Sequence, residues 1–151
     1  YQLANHDRLV TAYDQVVETV DFIRAAGHPV AVGTSKTGWL ARRGLDHVGL
    51  GPHFDVIVGC DSCERHKPDP QPVYVALAKL GYQPSEAVFV GDSVHDVAAG
   101  NAAGVVTIAA LWGPFSREDL AASGPTHFLD RMADLPSLLA HIQAGRNMGL
   151  A

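Results

Sequence analysis

The chain has 151 residues, of which 47% are hydrophobic, 18% charged and 7% aromatic. That length suits one domain able to bury ~70% of the surface its unfolded form exposes, and the apolar share excludes a disordered chain. No apolar run approaches the ~20 residues of a membrane span, and 11 Lys+Arg against 16 Asp+Glu, net charge -5, argue against a nucleic-acid-binding face.

From Asp7 to Ala26 the apolar residues Leu9, Tyr13, Val16, Val17, Val20 and Ile23 follow helical spacing, and Gly27 supplies the stop. Pro29 to Gly33 reads as a buried strand ending at Thr34-Ser35, with a helix around Trp39 to Val48 after it. Phe54 to Val58 is a second strand, running into an irregular segment from Gly59 to Pro70. Pro72 to Leu80 is helical and closed by Gly81; Ala87 to Val90 is a third strand ending at Gly91-Asp92. A helix over Val94 to Ala103 stops at Gly104, and Val105 to Leu111 is a fourth strand. Ser116 opens a capped helix, Thr126 to Leu129 is a short edge strand, and Asp134 caps a last helix with Pro136 in its first turn. Strands alternating with helices mean βαβ units and a mostly parallel sheet, with the ligand crevice outside the carboxyl ends of the strands.

The polar residues at those ends are the candidates for chemistry. The Thr34 hydroxyl, with Ser35 and the free amides of a helix start, suits a phosphate oxygen; Thr34 as a plain helix cap is the alternative. Gly33 and Gly38 have P-loop spacing, but Trp39-Leu40 follow where Lys-Ser/Thr is required. Lys67 lies in Arg65-His66-Lys67-Pro68-Asp69-Pro70, where two prolines before a helix can aim an ammonium inward to neutralise a phosphoryl group. A solvated loop lysine is the bland alternative. Asp92 falls at a strand end and Asp96 follows four residues on; two hard carboxylates without His or Cys suit Mg2+. Asp92 acting only as a helix cap is the competing reading, and His95 lies on another face of that helix. Cys60, Cys63 and His66 have the spacing to begin a zinc site or a redox pair, but no further Cys completes either. Two Cys and no signal-peptide pattern point to a reducing cytosol, hence a cytoplasmic protein.

Taken together, these stretches resemble the haloacid dehalogenase-like hydrolases, in their phosphoglycolate-phosphatase-like branch. Val30 to Lys36 is similar to the second family motif, Lys67-Pro68-Asp69-Pro70 to the third, and Val88 to Asp96, continuing to Val105, to the fourth. Trp112-Gly113 after the next strand adds to the likeness, which runs from about residue 7 to about residue 140. The resemblance implies a Rossmann-like three-layer sandwich and a Mg2+-dependent phosphatase working through an aspartyl phosphate on a small phosphorylated metabolite. Thr34 and Ser35 would hold a phosphate oxygen and Lys67 would balance charge. Asp92 would bind the metal, and Asp96 would bind or orient it through water.

The family's first motif, an Asp-x-Asp whose first carboxylate is the nucleophile, has no counterpart in this sequence. The expectation is therefore a single partial core domain over 1–151: residues 1–6 return from an absent cap and 145–151 form a disordered tail. The central first-motif strand would lie between the strands ending at Thr34 and Asp92. A missing N-terminal segment or another chain would fill that place, the chain alone would be inactive, and no backbone bonds should join those two strands directly. A non-catalytic phosphatase-like binding module is the alternative. A metal-free haloacid dehalogenase would leave the carboxylates after Gly91 without use. In a phospho-receiver the acidic residues precede Thr and Lys, the reverse of the order here.

Overall fold

The structure, a computed structural model, describes residues 6–33, 37–47, 49 and 51–149. The helical spacing near the start forms α1, His6–Ala25, and the chain turns out of it at Gly27 with φ +95°. There follow β1 (Ala31–Gly33), α2 (Gly38–His47), β2 (Val56–Val58), α3 (Gln71–Leu80), β3 (Val88–Gly91) and α4 (Val94–Ala103). The chain closes with β4 (Val106–Ala110), α5 (Arg117–Ala122), β5 (His127–Leu129) and α6 (Leu135–Gly149). The last helix thus runs through residues 145–149, part of the stretch expected as a tail.

All strand pairs are parallel, as the βαβ alternation predicts. They form two sheets, β1-β2 and β3-β4-β5. Among the described residues no ladder joins β1 to β3, so the sheet breaks where a central strand was expected to be missing. The alternating pleat sends Val88, Val90, Val106 and Ile108 to one face, where Ile23 of α1 and Leu135 and Ile142 of α6 cover them. Phe89 points the other way, onto Val73 and Leu77 of α3 and Ala99 and Ala103 of α4. Ala109 meets Val97 of α4 and Leu120 of α5. Helices on both faces make three layers. Val30, just before β1, joins the same cluster as Val88 and Val90, and α3 lies against β1, β2 and α4, so both sheets share their covering layers.

The first strand is shorter than its apolar run predicts, because an aspartate distant in sequence takes the Val30 amide. The Val30 N–H donates to the Asp55 carboxylate at 2.7 Å, and the Val30 carbonyl accepts from the Asp55 N–H at 2.8 Å. Arg24 at the end of α1 donates to the same carboxylate at 2.9 Å and to the Pro52 carbonyl at 3.2 Å. The Val30 N–H, and after it Arg24, hold the Asp55 carboxyl below its ordinary value. This cluster ties α1, β1 and β2 together at the end of the sheet away from the candidate site.

Candidate active site

The sequence Gly91-Asp92-Ser93 takes the chain from the carboxyl end of β3 into α4. Ser93, extended at φ -128° and ψ 158°, is the N-cap; its hydroxyl accepts from the Asp96 N–H at 3.1 Å. The cap is therefore Ser93 rather than Asp92. Asp96 completes the capping box as its third helical residue, accepting from the Ser93 N–H at 3.3 Å and the Asp92 N–H at 3.2 Å through Oδ2. Its other oxygen, Oδ1, accepts from Lys67 Nζ at 2.6 Å. Asp96 is 8% exposed, so this carboxylate is buried and spoken for on both oxygens.

Lys67 turns inward. Its side chain is 25% exposed, and Nζ lies 5.9 Å from the centroid of Phe89, across β3. The loop that carries it is fixed on its far side: the Asp69 N–H donates to the His66 carbonyl at 2.9 Å, and the Asp69 carboxylate accepts from the Gln71 N–H at 2.9 Å. The Lys67–Pro68 peptide is cis. Asp92 is the contrast: it is exposed, and among the described residues no donor reaches its carboxylate. One free carboxylate beside a second one fits Mg2+, which takes one or two carboxylates and keeps several waters. Among the described residues no group of three or more His, Cys, Asp or Glu is arranged to hold a metal, so a closed protein cage of the zinc type is not present there.

Thr34 and Ser35 lie outside the described residues. The chain leaving them is held from two sides. Thr37 Oγ1 accepts from the Leu40 N–H at 3.3 Å, and Asp61 Oδ1 accepts from the Gly38 N–H at 2.7 Å. Gly59 packs so tightly that a Cβ there would lie 2.2 Å from Gly38 N.

The haloacid dehalogenase-like hydrolase family model matches residues 1–110, with the Lys67 and Asp92–Asp96 loops inside the match. The chain belongs to the haloacid dehalogenase-like hydrolases. Among the relatives of this hydrolase chain, a protein named pyrophosphatase PpaX from Bacillus velezensis is 42% identical over 130 residues, covering 86% of this chain and 60% of the relative. One of the same name from Bacillus pumilus is 40% identical over 134 residues, covering 89% and 62%. A crystal structure described as a predicted phosphoglycolate phosphatase from Haemophilus somnus superposes with a TM-score of 0.76 at 30% identity, covering 83% of this chain and 56% of that one. The chain thus spans about three-fifths of the length of these relatives.

Not every residue of this hydrolase chain singled out in the sequence joins the site. Cys60 and Cys63 are free, half-buried thiols, and burial pushes the Cys63 thiol up, away from the thiolate that metal binding or redox exchange needs. His66 and His95 are exposed. Conversely, sequence reasoning missed Asp61, which reaches 23 residues back to Gly38. It noted Gly91 before Asp92 and Gly113 after Trp112, but not that each of these glycines borders a carboxylate.

Proposed function

We propose that this chain forms the lysine-and-carboxylate part of a Mg2+-dependent phosphatase that acts on a small phosphorylated metabolite. The observation that carries the reading is the part-buried Lys67–Asp96 pair at 2.6 Å beside the Asp92 carboxylate, which has no partner among the described residues, at the carboxyl end of a parallel strand. An inward, pinned ammonium is what a transferring phosphoryl group requires, since positioning and charge stabilisation dominate that chemistry. In this reading Lys67 offsets the charge of the phosphoryl group and of the attacking carboxylate. Asp96 fixes where the ammonium sits and closes the loop onto α4. Asp92 holds the cation, and Thr34 with Ser35 holds a phosphate oxygen. When bound, Mg2+ supplies further neutralisation of the phosphate oxygens.

The nucleophile would be an aspartate on a strand beside β1 and β3, brought by a segment outside these 151 residues. A relative named a pyrophosphatase and a structure described as a predicted phosphoglycolate phosphatase support a substrate class that takes in a phosphoanhydride and a phosphomonoester. The test uses a polypeptide extended N-terminally to the relatives' length, assayed with p-nitrophenyl phosphate and with pyrophosphate in the presence of Mg2+. Lys67→Ala is expected to lower turnover by roughly two orders of magnitude or more, and the 151-residue chain alone to be inactive. A fully active Lys67→Ala protein would overturn the assignment.

A further inference from the structure

Asp92 differs from every other carboxylate of the site in that no hydrogen bond among the described residues sets its direction. Its side chain is bounded instead by the loop after β4. A Cβ built on Gly113 would lie 2.5 Å from Asp92 Cβ, 2.9 Å from Cγ and 2.8 Å from Oδ2. Such distances are far inside carbon–carbon contact, and an aspartate is too short to swing clear, because its own Cβ is among the atoms met. Gly113 is not one of the glycines with positive φ, so no left-handed backbone calls for a glycine there. The reason for a glycine at 113 is therefore space, and the occupant of that space is Asp92. The same device recurs next door, where a Cβ on Gly91 would lie 2.3 Å from Asp96 Cβ, but Asp96 is already fixed by three donors.

We infer that Gly113 is a positioning residue: its bare backbone is the wall against which the Asp92 carboxylate is set to meet a divalent cation. This rests on the cation role proposed for Asp92. Trp112, 49% exposed at the carboxyl end of the strand beside β3, then marks the rim of the same site.

The test follows Mn2+ as a relaxation probe in amide spectra of a protein extended N-terminally to the relatives' length and of its Gly113→Ala variant. Wild type is expected to lose the Asp92, Ser93 and Gly113 signals first. Gly113→Ala should need about tenfold or more Mn2+ for the same loss, the usual scale for a group that orients a metal ligand. Amide positions of Asn101 and Thr107, on the far side of α4 and β4, should not move. Equal Mn2+ dependence in a folded variant overturns the inference while leaving the cation role intact. Wild type without broadening at Asp92 removes the cation role and the inference with it. If Gly113→Ala does not fold, Asp92→Gly/Gly113→Ala, which removes the opposing Cβ, should restore dispersion; a double variant that stays unfolded also overturns the inference.

Discussion

Removing the Asp96 carboxylate should cost more stability than removing the Lys67 charge, although each breaks the same ion pair. In Asp96→Ala the Asp92 and Ser93 N–H groups lose their acceptor and Lys67 loses its partner. Leaving those two backbone donors without their acceptor costs about 1 kcal/mol. Stranding one member of a fully buried pair costs ~3–5 kcal/mol. Lys67 keeps a quarter of its side chain in contact with water, so its ammonium rehydrates, and roughly 2 kcal/mol is the fitting share of that range. The total is about 3 kcal/mol, which lowers a urea midpoint by roughly 1–2 M in a domain of this size. Lys67→Met keeps the stem against Phe89 but strands the Asp96 carboxylate, which retains its two backbone donors, so roughly 2 kcal/mol is expected. Urea unfolding of the two variants followed by far-UV circular dichroism decides the matter. Equal losses, or a larger loss in Lys67→Met, would refute the dual role given to Asp96.

Two further predictions concern the frame. The fold depresses the Asp55 carboxyl, so its contribution to stability is complete above its unfolded value of about 4 and is lost as the pH falls through its lower folded value. Wild type should therefore exceed Asp55→Asn by a constant margin above about pH 5 that shrinks below about pH 4; urea midpoints at several pH values check this, and a margin that widens in acid contradicts it. Asn101 joins α4 to the end of α5, donating to the Gly124 carbonyl at 3.0 Å and accepting from the buried Thr107 hydroxyl at 2.8 Å. Asn101→Ala should cost about 1–2 kcal/mol, read as a fall of several degrees in Tm, and an unchanged Tm contradicts the latch.

How legible each part was depends on how local its cause is. The helix Val94–Ala103 was readable to the residue because Ser93 caps it and Gly104, at φ +82°, ends it. The first strand was over-read because an aspartate 25 residues away takes the Val30 N–H. Lys67 was readable as an inward lysine from its prolines, but its partner was not, since Asp96 lies 29 residues on in the first turn of α4. Asp92 and Asp96 are joined by the bond from the Asp92 N–H to Asp96 Oδ2. What the sequence did not reveal is that Asp96 spends both oxygens on Lys67 and the backbone. Gly113 was noted only as part of the family likeness, because its approach to Asp92 exists only where two strand ends meet.

Locating the phosphoryl group during turnover tests the proposed chemistry most directly. A protein extended N-terminally to the relatives' length would be mixed briefly with radiolabelled pyrophosphate and Mg2+, quenched in acid and mapped by peptide. The label is predicted on an aspartate outside residues 1–151, at normal yield in wild type and strongly reduced in Lys67→Ala. Label on Asp92, Asp96 or any other residue of 1–151, or turnover with no labelled protein at all, would contradict it.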